Sequence, residues 1–153
     1  MTKLILASKS PRRLQLLNST NIIPDIVDPA NINESIIQKE KPKIYLKRIC
    51  LEKAKSIQKK YENDIILAAD TIVSTNQTIF LKPKDEKDAK KTLKYLSGRN
   101  HSVITGVCVL FKDRKKIKII ETKIKFKKLH NNEIDQYIKT SQWVDKAGSY
   151  AIQ

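Results

Sequence analysis

The sequence predicts an α/β fold built on a mixed central β-sheet flanked by helices. Three observations carry that expectation. Short apolar runs at 4–7, 65–73 and 101–111 alternate with stretches of helical period at 42–61 and 85–96. The runs flanking Thr75-Asn76-Gln77 are close enough to form a hairpin, which brings an antiparallel pair into the sheet. The length of 153 residues, 40% of them hydrophobic, suits one domain with one sizeable core.

Taken in order, residues 4–7 read as a buried strand. Ser8-Lys9-Ser10 turns the chain, and Ser10 can cap a helix that opens on Pro11, with Leu14 and Leu17 on its inner side. Residues 18–38 are irregular apart from a short strand near 22–27. A helix over 42–61 carries Leu46, Cys50, Ala54, Ile57 and Tyr61 as one stripe. Residues 65–73 form a central strand, and 78–82 its hairpin partner. Asp85 caps a third helix with Ala89, Leu93 and Leu96 inward, which Ser97-Gly98-Arg99-Asn100 stops. Strands follow at 101–111 and 116–127; in the second, Ile120, Thr122, Ile124 and Phe126 share one face. Asn132 can cap a short helix containing Ile134, Tyr137 and Ile138.

Composition narrows the function classes. With only three glycines, Gly98, Gly106 and Gly148, a glycine-rich phosphate loop is excluded. The longest apolar stretch is broken by Asp70 and is too short for a bilayer, and the first residues read as a strand rather than an export signal. A cytoplasmic protein is therefore expected. Cys50 and Cys108 lack metal-ligand spacing and read as reduced, packed side chains. The net charge of +15, from 31 basic and 16 acidic residues, favours anionic partners. The lysines are scattered, however, apart from 112–118 and 123–128, and neither a basic stripe nor an aromatic platform supports nucleic-acid binding.

Several residue sets could carry chemistry. In Ser8-Lys9-Ser10-Pro11-Arg12-Arg13, two arginines occupy a first helical turn, against the helix dipole. An anion seated on the free amides, hydroxyls and guanidiniums would offset that penalty; two solvated arginines are the alternative. Lys53 falls inside the apolar stripe of its helix. It needs an anionic partner there, unless its stem packs while the ammonium reaches water. Asp70 interrupts an apolar strand in Ala68-Ala69-Asp70-Thr71. It is either a structural carboxylate bonded to backbone amides, or a group that binds a metal or activates water. Glu34 is a second candidate for a hard cation. Lys82-Pro83 follows the hairpin. Lys146 is a further cation near the end of the sequence, and Gln153 could read a base edge through its amide. His101, Trp143 and Tyr150 read as packed residues.

Six of these blocks stand in an order that resembles the Maf family of nucleoside triphosphate pyrophosphatases: Leu6-Ala7-Ser8-Lys9-Ser10-Pro11-Arg12-Arg13, Glu52-Lys53-Ala54, Ala69-Asp70-Thr71-Ile72-Val73, Lys82-Pro83, the run from Leu96-Ser97-Gly98-Arg99 to Thr105-Gly106-Val107, and Asp145-Lys146-Ala147-Gly148-Ser149-Tyr150-Ala151-Ile152-Gln153. The resemblance spans the chain and implies one Maf/ITPase-like domain over 1–153, with an active-site cleft at the sheet. It implies hydrolysis of a nucleotide between its α and β phosphates with a divalent cation such as Mg or Mn, and a homodimer. Asp70 matches the family's proton acceptor. Glu34 matches a metal-binding carboxylate that Asp70 complements, with Asn33 where the family often has an acid. Ser8, Arg12, Arg13, Lys53, Lys82 and Lys146 match the set that holds phosphates. The Ala-Asp-Thr block and the Asp145–Gln153 block are similar to those of the branch acting on dTTP and UTP, in which Arg12 or Arg13, Thr71 and Gln153 bear on substrate choice. Family members continue beyond the Ile-Gln motif. The sequence therefore also admits a shortened Maf-like protein that binds nucleotides with weak turnover.

Overall fold

A strand buried on both faces needs apolar residues at successive positions, and Ile5, Leu6 and Ala7 supply them, all buried. They belong to β1 and its C-terminal edge in a computed structural model that describes residues 1–151. The elements run β1 (Leu4–Leu6), α1 (Pro11–Ser19), β2 (Ile26–Val27), α2 (Pro42–Gln58), β3 (Ile65–Thr75), β4 (Thr78–Phe80), α3 (Glu86–Leu96), β5 (Asn100–Phe111), β6 (Arg114–Lys125) and α4 (Asn131–Lys139), before a 3-10 turn at Ala147–Ser149. The strands are hydrogen-bonded in the order β2-β1-β3-β5-β6, with β4 on β3. β1 is parallel to β2 and β3, with Ile5 opposite both Ile26 and Ile66. β4 is antiparallel to β3, with Val73 opposite Phe80. The sheet is mixed, as the hairpin signal requires.

The chain divides into two units, one formed by 1–70 with 105–120 and the other by the described remainder. Each unit has an apolar cluster of its own.

In the first unit, the stripe of α2 lies against the sheet. Cys50, Ala54 and Ile57 pack with Ile5, Ala7, Ile66, Ala68, Cys108 and Leu110. Tyr45, Leu46 and Ile49 are also buried on α2, while Tyr61 falls beyond its end and is half-buried. Gly106 allows β5 and α2 to approach closely: a Cβ there would lie 2.9 Å from Cys50 Sγ and 3.3 Å from Leu46 Cβ. Both cysteines are free thiols within this core. Burial, reinforced by the Asp70 charge, pushes the Cys50 thiol up to about 12. Leu14 and Leu17 on α1 are half-buried rather than buried, because α1 lies at the surface.

The second unit is centred on Ala89 and Leu93 of α3, Ile134 and Ile138 of α4, and Trp143, with Phe126, Leu129, Tyr137 and Tyr150 against them. Asp85 caps α3 as expected, accepting the Asp88 N–H at 2.7 Å. The cap expected at Asn132 is corrected. α4 already begins at Asn131, and the Glu133 carboxylate reaches back to accept the His130 N–H at 2.9 Å. The strand expected to reach Lys82 ends at Phe80, since the Leu81 carbonyl accepts the Gly148 N–H instead of a ladder bond. On β6, Ile120 and Thr122 are exposed, so their shared face is not a core face along its whole length.

His101 is buried in this unit, 2.5 Å from the Tyr150 hydroxyl through Nε2 and edge-on to Phe126. Burial also pushes the Tyr150 hydroxyl up to about 12, so the pair shares one proton between two neutral groups. Burial lowers the His101 value from its ordinary 6.5. Below that ordinary value the unfolded chain binds the proton that the folded chain refuses. Stability is then lost as pH falls through and below 6.5 toward the folded value. Tm measured from pH 7 to pH 5 should fall, with a shallower fall in His101→Gln; an equal slope in the two proteins would refute the assignment.

Candidate active site

β1 ends where the Ala7 N–H donates to Leu67 O at 2.8 Å. The chain then turns into α1, and Ser8 is buried at the turn. Ser10 occupies the N-cap position but, among the described residues, forms no side-chain capping bond. The hydroxyl that organises the turn is that of Ser8, which accepts the Ser10 N–H at 3.2 Å and Arg13 Nη1 at 3.0 Å. This corrects the expectation for Ser10. Its cause is a two-residue turn that points the first serine inward.

Arg13 is thereby bent back along the start of α1, and its other terminal nitrogen lies 3.4 Å from Asp70 Oδ1. Asp70 sits on β3, on the same face as Ala68, and only 7% of it is exposed. Its other oxygen, Oδ2, is 3.5 Å from Lys53 Nζ. Lys53 is likewise 7% exposed, on the buried side of α2, as its place in the stripe predicts. The same ammonium lies 3.0 Å from Glu34 Oε1, whose side chain remains 46% exposed.

Ser8, Arg13, Glu34, Lys53 and Asp70 are thus brought together from five segments of the first unit. Arg12 lies beside Arg13 on the exposed first turn of α1. Thr71 follows Asp70 on β3 and, with Lys82 and Lys146, belongs to the second unit. There Lys82 Nζ is 2.7 Å from Asp145 Oδ1, and the Lys146 ammonium donates to the Gln142 carbonyl. Gln153 lies outside the described residues.

Charge pairing dominates this geometry. Asp70 is shared by two cations and Lys53 by two carboxylates, which is how a buried charge of either sign becomes tolerable. The contacts to Asp70, at 3.4 and 3.5 Å, are longer than tight charge-assisted bonds. Its oxygens therefore keep capacity for a water or a cation. No cluster of three His, Cys, Asp or Glu side chains that could hold a metal occurs among the described residues. Two carboxylates nonetheless fit a hard cation of the Mg type, which takes one or two carboxylates and fills its remaining positions with phosphate oxygens and water. Tyr45, Glu40 and Arg48 were not singled out by the sequence. The available signal was Arg48 on α2, eight residues beyond Glu40 and one turn after a buried tyrosine.

An α/β protein with a serine- and arginine-bearing strand–helix turn beside a buried strand carboxylate is equipped to hold an anion next to an acid–base group. Residues 3–153 match the Maf family, described as Maf-like protein, and the chain belongs to that family. It is 44% identical over 151 residues to a dTTP/UTP pyrophosphatase of Caulobacter vibrioides, covering 98% of this chain and 78% of that one. It is 45% identical over 157 residues to a dTTP/UTP pyrophosphatase of Pyrococcus furiosus, covering 100% and 80%. Among solved structures, a HAM1 protein from Coxiella burnetii matches with a TM-score of 0.56 at 16% identity, covering 82% of this chain and 73% of that one. That last likeness concerns the fold alone. No helix among the described residues is long and apolar enough to cross a membrane.

Proposed function

We propose that this protein hydrolyses dTTP and UTP between the α and β phosphates, releasing the monophosphate and pyrophosphate. The observation that carries the reading is Asp70: a strand carboxylate with loosely held oxygens, flanked by Arg13 and Lys53. The names of the relatives, which match 98–100% of this chain over 78–80% of their own length, supply the substrate class.

In this reading Arg12, Arg13, Ser8 and the first amides of α1 receive phosphate oxygens, since unpaired N–H groups and guanidiniums both favour polyanions. Asp70 accepts a proton from a water whose oxygen bonds to the α phosphorus, while the bond from that phosphorus to the bridging oxygen breaks. Glu34 and Asp70 would hold a divalent cation, Mg or Mn, which supplies charge neutralisation at the phosphates. Lys53 keeps the two carboxylates from repelling each other before substrate arrives and offers its charge to phosphate afterwards. Thr71, Lys82, Lys146 and Gln153 enter through their family match alone, as residues bearing on phosphate contact and choice of base. Action in the cytoplasm and a homodimer belong to the same reading; light scattering at micromolar concentration tests the latter.

The test is a turnover screen across the common nucleoside triphosphates with Mn or Mg. Monophosphate and pyrophosphate should appear in equal amounts, fastest from dTTP and UTP. Release of single phosphates, or of no product, rejects the proposal.

A further inference from the structure

Glu34 sits in a segment without regular structure, between β2 and α2, and yet its carboxylate is held against Lys53. Fixing such a segment costs backbone entropy at every residue, so something must hold it. The fasteners are on α2. The hydroxyl of fully buried Tyr45 donates to Glu34 O at 2.9 Å. One turn along, Arg48 Nη2 donates to Ser35 O at 2.9 Å. The same guanidinium grips Glu40 through both carboxylate oxygens at 2.7 Å, a fork that Lys could not reproduce. Glu40 Oε2 in turn accepts the Ile37 N–H at 3.1 Å, and Asn33 Oδ1 accepts the Ser35 N–H at 2.9 Å.

We infer that Tyr45 and Arg48 are positioning residues that hold the Glu34 carboxylate at the cation site by strapping residues 34–40 along α2. Lys53 lies eight residues after Tyr45 on the same buried side, so one helix grips Glu34 at its backbone and at its carboxylate. The inference rests on the reading of Glu34 as a metal-binding group. Neither Tyr45 nor Arg48 touches substrate or metal in this arrangement; both act through Glu34.

The test uses the full chain and Mn2+ alone, with binding followed by the EPR signal of the free ion, alongside amide hydrogen exchange of residues 33–40. Tyr45→Phe and Arg48→Lys should each weaken Mn2+ binding by about tenfold, as loss of an outer-shell orienting contact does, and should speed exchange in that segment. Glu34→Gln should weaken binding at least as much. In the Glu34→Gln background Tyr45→Phe should add nothing further, since the two act along one line. Faster exchange with unchanged Mn2+ affinity in both single variants, or additive losses in the double variant, overturns the positioning role while sparing the metal reading. Unchanged affinity in Glu34→Gln overturns the metal reading, and the positioning role with it.

Discussion

Asp70→Asn is expected to lower turnover of dTTP by at least about a hundredfold, the scale set by losing a positioned general base. The substitution keeps the volume and one hydrogen-bond acceptor, so the strand and its neighbours stay in place. It removes the second basic oxygen and one negative charge between Arg13 and Lys53. Those cations then face a triphosphate with one fewer competing carboxylate. The same loss removes one of the two carboxylates proposed to hold the cation, so kcat should collapse at saturating substrate while Tm changes little. That split separates a chemical role from a merely structural one: a carboxylate needed only for folding would drag down Tm and amplitude instead. Steady-state kinetics beside a melting curve decide the matter, and a kcat within tenfold of the parent would remove Asp70 from the chemistry. Leaving two cations with less compensation costs some stability, which Glu34 limits by remaining 3.0 Å from Lys53.

Gly148→Ala should have the largest effect on stability. Gly148 has φ +69, in the left-handed region, and a Cβ there would fall 2.5 Å from Val73 Cγ2 and 2.8 Å from Val73 Cβ. The left-handed backbone costs a residue with a Cβ about 1–2 kcal/mol. The overlap adds about 1–3 kcal/mol, because valine is stiff at χ1 and sits on the strand backbone itself. A total of about 3 kcal/mol corresponds to a Tm lowered by roughly 10 °C in a chain of this size. Gly98→Ala provides the control. Its φ is +68, but the nearest atom to a new Cβ is 3.9 Å away, so only the backbone part is felt. Equal melting temperatures for the two variants would show that contact with Val73 is not what Gly148 avoids.

Most of the sheet was legible because its strands are apolar runs whose neighbours in sequence supply turns. Lys53 was legible for a related reason. A charged residue at a core position of a helical stripe has to meet something, and here it meets Asp70 and Glu34. Asp70 was legible as the break in an apolar strand. What escaped depends on contacts remote in sequence. Whether Ser8 or Ser10 organises the turn is decided by which hydroxyl Arg13 reaches, and Arg13 is aimed by Asp70, 57 residues away. β2 is two residues long because only Ile26 and Val27 stand in register opposite Ile5 and Leu6 of β1, a matter of register rather than of composition. The segment from Asn33 to Glu40 has no period of its own. Its shape is imposed by side chains of the helix that follows, so propensity carried no trace of it. Lys82 kept its identity as a cation, but its pairing with Asp145 is a contact 63 residues long.

The bare backbone at Gly106 sets how far the fold can be improved. It lets β5 press against α2 at Cys50 and Leu46, and α2 is also the helix that bears Tyr45, Arg48 and Lys53. A methyl group added at that point would meet Cys50 Sγ at 2.9 Å and Leu46 Cβ at 3.3 Å, so the α2 side of the contact has to give. A fuller interior at this spot therefore presses on the same helix that carries the residues proposed to hold Glu34 and Asp70.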